Sequence, residues 1–270
     1  MSQTQAEIDA RNASFWDELC GTALAQSVGI TDTSHESLAL YDEAYFGFYP
    51  YLRGYLPPAG IPGRALEIGL GYGTLGQALA EGGIDYFGLD IAEGPVEMMR
   101  HRLAGLGVED PASRVQVGSA IDIPHPDEAF DYVYSIGCLH HTGDLPGSVK
   151  EVHRVLKPGG KAVVMLYNSH SFRRFTLAVK HLPRLLDRSR GGRAAHEESI
   201  RGTYDRRTSG EAAPVVEYTS KAEVMDLFRD FTDVRVRREN FDAIKRIPRE
   251  RLLGKPAKMM GIDLYITATK

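Results

Sequence analysis

Two constellations in the 270-residue chain bring together residue types able to act on a small polar ligand. The first is ALEIGLGYGTLGQAL, which sets Gly69, Gly71 and Gly73 in one turn after an apolar run. Glycines there let a ligand approach the backbone, and a helix that follows offers unpaired N–H groups to it. Gly71, Gly73 and Gly76 also satisfy G-x-G-x-x-G, with Asp90 about 20 residues beyond Gly71, the spacing of a nicotinamide dinucleotide fingerprint. Asp90 ends an apolar run, where its carboxylate could accept from both hydroxyls of a ribose, or cap the next helix.

The second constellation is SIGCLHHTGD, in which His140 and His141 follow the run FDYVYS. A neutral imidazole with a pKa of about 6.5 could take a proton from an acceptor hydroxyl or ammonium. A histidine bonded to backbone could equally anchor the loop. Adjacent side chains seldom point the same way, so the expectation is that His140 supports the loop and His141 faces the acceptor. A metal would need further ligands, and beyond Cys138 neither His125 nor His153 has supporting spacing, so no metal is expected. Tyr167 and Asn168 end another apolar run and are candidates to orient a substrate, or to finish the strand and cap a helix.

These residues need a frame that gathers run ends at one edge. From Arg64 to Leu166 the chain alternates short apolar runs with helix-length segments, which predicts parallel strands joined by crossover helices. The strands expected are 64–68, 85–90, 114–117, 130–135 and 161–166. GYGTLGQALAEGG and AEGPVEMMRHRLAGLG read as helices closed by glycine, and LPGSVKEVHRVLKPGG as one stopped by Pro158 and Gly159. Residues 233–240 and 263–270, with no helix-sized pattern between them, predict an antiparallel pair at the sheet edge. The expected fold is a doubly wound α/β sheet, mostly parallel and seven-stranded, with a reversed C-terminal edge strand.

Two regions lie outside that frame. Residues 1–60 read as a helical cap, with Tyr41, Tyr45, Phe48, Leu52 and Tyr55 near helical spacing and Pro50 dividing the run. Residues 168–219 are too long for a plain connection in the 61–270 core and read as an inserted substrate-binding cap. There Phe172, Phe175, Val179, Leu182 and Leu186 form an apolar stripe opposed by Arg173, Lys180, Arg184 and Arg188, with Pro183 as a kink.

The net charge of −4 argues against a general nucleic-acid binder. Charge is uneven, however: residues 1–60 carry eight acidic side chains against two arginines, and residues 168–210 carry ten Lys or Arg against four acidic ones. Arg173, Arg174, Arg201, Arg206 and Arg207 form a solvated face, of which one or two could seat an anionic substrate. Two cysteines, no secretory leader and no run approaching about 20 apolar residues predict a cytoplasmic protein with no membrane partner.

LEIGLGYGTLG, GLDIAEGPVEMMR, VGSAIDIP, FDYVYSIGCLHHTGD and EVHRVLKPGGKAVVMLYN, in this order and spacing, resemble the class I S-adenosylmethionine-dependent methyltransferases of the type-11-like group. The resemblance covers residues 64–168. It implies a Rossmann-like fold, S-adenosylmethionine as cofactor, and methyl transfer to a small polar metabolite at oxygen or nitrogen, with sulfur open. It further implies that Glu67 and Gly69 line the methionine part, Gly71 and Gly73 give room at the turn, Asp90 holds the ribose, Ile91 lies against the adenine, and Ser119 and Ala120 approach its edge. Family members often carry an acidic residue where Ser119 stands; Asp122 could substitute. Tyr41, Tyr45, Phe46 or Tyr49 could lay a ring against the sulfonium for about 0.5–2 kcal/mol, Tyr45 being central, or simply pack. Three rivals remain: a methyltransferase of RNA or protein, resting on the basic insertion; a nicotinamide-dependent oxidoreductase; and a cofactor-binding module without transfer activity.

Overall fold

The computed structural model describes residues 3–58, 60–185 and 198–270. Eight strands form one sheet: β1 (Arg64–Ile68), β2 (Asp85–Asp90), β3 (Val115–Val117), β4 (Phe130–Ile136), β5 (Leu156–Asn168), β6 (Tyr218–Thr219), β7 (Thr232–Glu239) and β8 (Asp263–Thr269). Their order is β3-β2-β1-β4-β5-β8-β7, with the two-residue β6 beside β5. Strands β1 to β5 run parallel, and β8 is antiparallel to both β5 and β7.

Alternation along the strands assigns the two layers. Leu66 and Ile68 of β1 join Leu89, Val133 and Val164 under α7 (Leu145–Val155), whereas Ala65 joins Tyr86 and Tyr134 under α4 (Thr74–Glu81) and α5 (Glu93–Gly105), and the single turn α6 (Pro111–Arg114) leads into β3. Central strands covered on both faces read as continuous apolar runs, which is why RALEI is buried from Ala65 to Ile68.

Among the described residues no crossover helix covers β5 and β8 on the α4 side. The N-terminal segment does so instead: α1 (Gln5–Trp16), α2 (Thr22–Ser27), α3 (His35–Phe48) and the 3₁₀ turn Pro50–Tyr55, whose Phe46 and Leu52 pack on Met165 and Tyr265. Each such side chain removed from water is worth roughly 1.5–3 kcal/mol. A buried ion pair adds a tether. Arg102 of α5 donates to Asp42 of α3 at 2.8 and 2.9 Å, and the same carboxylate accepts from Thr74 at the head of α4.

The structure departs from expectation in three places. α7 stops at Val155, ahead of Pro158 and Gly159, because Leu156 already pairs with Phe130; the proline and glycine lie inside β5. The excursion after Asn168 returns to its own strand end, where β6 pairs in parallel with Tyr167 and Asn168. Between β7 and β8, Arg249–Leu252 and Lys255–Met260 form two short helices around Phe241, Leu252 and Ala257. Helix α8 (Phe172–Leu185) leaves Phe175 and Val179 exposed. Leu186 and Arg188, and the side chains of Leu182, Pro183 and Arg184, lie outside the described residues. Among the described residues no helix is long and apolar enough to cross a membrane.

Candidate active site

The strand-to-helix turn after β1 takes its shape from three residues in the left-handed region: Gly69 (φ 84°), Gly71 (φ 52°) and Gly73 (φ 76°). A Cβ at Gly69 would collide with the Cys138 side chain, so the loop after β4 can lie directly on it. Gly71 faces the chain at Cys20, whose carbonyl is 3.4 Å from where a Cβ would stand. Gly73 serves another purpose than the one expected. Its missing Cβ makes room for Arg102 and Met99, and it lies behind the cavity wall.

A cavity of about 730 Å³ opens at this carboxyl edge, lined on one side by Glu67, Gly69, Gly71, Asp90, Ile91, Ser119 and Ala120. Asp90 is buried at the end of β2, where Leu70 N–H donates to Oδ2 (2.8 Å) and Ala92 N–H to Oδ1 (3.0 Å). Asp90 thus braces the two loops and does not cap α5: each oxygen accepts from one backbone N–H and keeps a lone pair for a ligand. Burial pushes its pKa up to about 6. Glu67 projects toward the α4 face, accepts from the Tyr86 hydroxyl at 2.6 Å and is pushed by burial up to about 8. Asp122 is exposed and does not reach the cavity, because the chain turns after Ser119 and carries it outward.

The opposite side draws on distant segments. His141 lines it, and His140 does not: His140 is fully buried behind the wall, its ring 4.1 Å from Tyr167 and 4.2 Å from His141. Both sit in a short 3₁₀ turn, Leu139–His141, which turns successive side chains apart. His141 Nδ1 lies 2.6 Å from the Val215 carbonyl. A carbonyl only accepts, so Nδ1 carries the proton and Nε2 of the neutral ring is a lone pair. Burial holds the pKa of His141 below the usual imidazole value and that of His140 well below it.

His141 Nε2 faces Asp205 Oδ2 at 3.6 Å, and the other carboxylate oxygen of Asp205 accepts from the Tyr167 hydroxyl at 3.0 Å. Burial raises the pKa of Asp205. Trp16 packs its ring 4.7 Å from that of His141, and Asn12 of α1 donates to the His141 carbonyl. Tyr41 and Tyr45 also line the cavity; Tyr41 is stacked on Tyr72 at 4.3 Å, and Tyr45 leans on Tyr49 at 5.0 Å. Asn168 departs from expectation. It is fully buried, donates to the Gly261 carbonyl and accepts from His170 N–H, so its amide closes the backbone after β5 and does not reach the cavity.

Sequence reading missed Asp205, Asp263, Asn240 and the Arg173–Asp242 pair, all of which reach this wall. Asp263 is buried at the start of β8, accepts from Asn240 at 3.0 Å and is pushed by burial up to about 7. An aspartate opening an apolar strand is the one signal that could have drawn attention to it. The basic residues of the insertion are largely engaged within the protein. Arg173 grips Asp242, Arg207 pairs with Glu18, Arg201 donates to the Ala213 carbonyl and Arg174 lies over the Tyr218 ring. Among the described residues no three His, Cys, Asp or Glu side chains converge as a metal-ligand set.

Comparison with known proteins bears on the family and the fold. Residues 66–164 match the family described as Methyltransferase domain. A demethylmenaquinone methyltransferase of Symbiobacterium thermophilum is 35% identical over 115 residues, 41% of this chain and 44% of that protein. The chain thus spans about half the length of the curated relatives it matches. Among solved structures, a Thermotoga maritima S-adenosylmethionine-dependent methyltransferase, described as a possible histamine N-methyltransferase, has a TM-score of 0.55 at 23% identity, over 84% of this chain and 94% of that one. The Streptomyces coelicolor geranyl diphosphate C-methyltransferase, solved with S-adenosylhomocysteine, has a TM-score of 0.57 at 14% identity over 97% of both chains. At such identities the likeness is one of fold. By family match and by topology, residues 66–164 belong to the methyltransferase-domain family, and the chain has the Rossmann-like fold of the class I S-adenosylmethionine-dependent methyltransferases.

Proposed function

We propose that this protein transfers a methyl group from S-adenosylmethionine to an oxygen or nitrogen of a small polar metabolite. The observation that carries the reading is one continuous cavity, with the glycine turn and Asp90 on one wall and His141 on the other. Its volume of about 730 Å³ suits a cofactor and a compact acceptor together.

The residues present fit the cofactor. The free lone pairs of Asp90 suit two ribose hydroxyls, Ile91 and Ala120 offer an apolar slot for the adenine beside Ser119, and Gly69 and Gly71 leave backbone open beside Glu67 for the methionine part. When bound, S-adenosylmethionine supplies a methyl group already activated by a sulfonium. The protein's own work is then positioning, exclusion of water and removal of one proton. In this reading His141 Nε2 takes that proton, Tyr167 and Tyr41 orient the acceptor, and Tyr45 lays an aromatic face beside the positive charge. The N-terminal segment and the 168–219 insertion act as caps that select the acceptor. A macromolecular acceptor is less well supported, because Arg173 and Arg207 are spent on internal carboxylates.

The test is calorimetry with S-adenosylhomocysteine and with NAD, followed by transfer of label from methyl-tritiated S-adenosylmethionine to small molecules, RNA and protein. Binding of S-adenosylhomocysteine alone and label in a small molecule are expected. Label in RNA or protein, or binding of NAD alone, would overturn the proposal.

A further inference from the structure

Two buried acceptor atoms on the His141 wall have nothing to accept from. His141 Nε2 and Asp205 Oδ2 are shut off from solvent, stand 3.6 Å apart, and have no hydrogen-bond partner among the described residues. Neither can satisfy the other. The ring proton is committed to Val215, and the Asp205 carboxylate already receives the Tyr167 hydroxyl on its other oxygen. Leaving such atoms unpaired is costly, more so for a charged group, so the pair calls for a ligand that donates twice.

The surroundings select the charge of that ligand. Of the four arginines that line the cavity, Arg173 is spent on Asp242, Arg207 on Glu18, and Arg249 on Asn240 and the Phe48 and Phe241 carbonyls, while the exposed Arg206 turns to the Gly202 carbonyl. The second buried carboxylate of this wall, Asp263, has only the neutral Asn240 amide as its hydrogen-bond donor among the described residues. Aromatic rings complete the wall, with Trp16 beside His141 and Tyr204 beside Tyr167 at 4.7 Å. Unpaired carboxylate among aromatic faces is the chemistry that receives an ammonium.

We infer that the methyl acceptor is a primary or secondary amine that enters as its ammonium ion, with two N–H groups donating to Asp205 Oδ2 and His141 Nε2. An alcohol brings one O–H and no charge, and a carboxylate would meet Asp205 as a like charge. The inference rests on the methyltransferase reading above. In the step, one ammonium proton passes to His141 Nε2 and frees the nitrogen lone pair. A nitrogen–carbon bond to the methyl group forms as the sulfur–carbon bond breaks, its electron pair staying on sulfur. The products are the methylated ammonium ion and a neutral thioether, and the imidazolium gives up its proton to water that enters as the products leave. Asp205 keeps its charge throughout and seats the cation.

The deciding experiment incubates the full chain with methyl-tritiated S-adenosylmethionine and the small-molecule fraction of its source cells, and separates labelled products by cation exchange before mass identification. Label in a basic amine is expected. With that amine, Asp205→Asn is expected to raise KM about tenfold or more while calorimetric affinity for S-adenosylhomocysteine stays within about twofold. Asp205→Glu, which keeps the charge, should recover part of the loss. Label in a neutral or acidic product, or an unchanged KM in Asp205→Asn, would overturn the amine assignment and leave the methyltransferase reading intact. No enzyme-dependent label in any fraction would overturn both.

Discussion

The cavity wall running from Gly69 through Asp90 to Ala120 is built from the ends of three neighbouring strands, β1, β2 and β3, within about 50 consecutive residues of one parallel sheet. The wall around His141 gathers Trp16 from α1, Tyr167 from the end of β5, Asp205 from the insertion and Asp263 from β8. The first wall presents its carboxylate with both oxygens already anchored by backbone N–H groups. On the second, one oxygen of Asp205 and one nitrogen of His141 are left bare. A backbone-anchored wall suits a constant ligand, and a side-chain wall suits a ligand that differs from one protein to the next. In the proposed reading, specificity is stored in segments that can change without disturbing the sheet.

The contrast between the walls is tested most severely on the acceptor side. His141→Ala is expected to lower turnover by about 10²–10⁴-fold, the range for a positioned general base, with S-adenosylhomocysteine affinity unchanged by calorimetry. Wild-type turnover would remove His141 from the mechanism. At the cofactor wall, Asp90→Ala removes two charge-assisted hydrogen bonds of about 1.5 kcal/mol each and should weaken S-adenosylhomocysteine binding about 100-fold. Unchanged affinity would refute the ribose assignment.

A stability measurement tests the tether between cap and core. Asp42→Ala leaves Arg102 buried and unpaired, and urea unfolding should show a loss of about 3–5 kcal/mol. A loss below about 1 kcal/mol would show the N-terminal segment held by apolar packing alone.

Protonation couples to stability through groups on both walls. Burial raises Glu67 to about 8 and Asp263 to about 7, from ordinary values of 4.5 and 3.8. The folded state keeps protons that the unfolded chain gives up, so this contribution is complete below about pH 4 and is lost as pH rises through 7 and 8. His140 and His141, whose pKa values burial lowers, act in the opposite sense but only below about pH 6.5. The melting temperature of the ligand-free protein should therefore fall between about pH 7 and 8.5. A level profile would mean that both carboxylates are already paired. The smallest effect belongs to Asp122→Ala, expected to leave cofactor affinity within about twofold because that side chain is exposed.

How much was legible follows the same division. β1 and β2, the antiparallel β7–β8 pair and the glycine turn could be read directly, since β1, β2 and β8 are apolar runs of strand length between turn residues and β7 alternates along its length. Ends were less secure where long-range pairing decided them. Val155 closes α7 because Leu156 finds Phe130 across the sheet, which no local signal announces. Gly73, Asn168 and His140 stand at strand and turn ends, as cavity residues do, yet all three serve packing or backbone closure. Position along the chain does not say whether a side chain faces the cavity or the layer behind it.

From the chain's pattern alone came the doubly wound sheet, the carboxyl edge where a ligand could meet it, and Asp90 and Gly69 as candidate residues at that edge. Each of these depends on local periodicity and on backbone conformations that few residue types allow. Only the tertiary structure placed Asp205 of the insertion 3.6 Å from His141, across 64 residues of chain, and left both with atoms that nothing else in the described protein satisfies. The physical reason is that such a pair is stabilised by no contact local in sequence. It comes together because the sheet, the cap and the returning insertion pack around it, and it carries no periodicity by which it could be read beforehand.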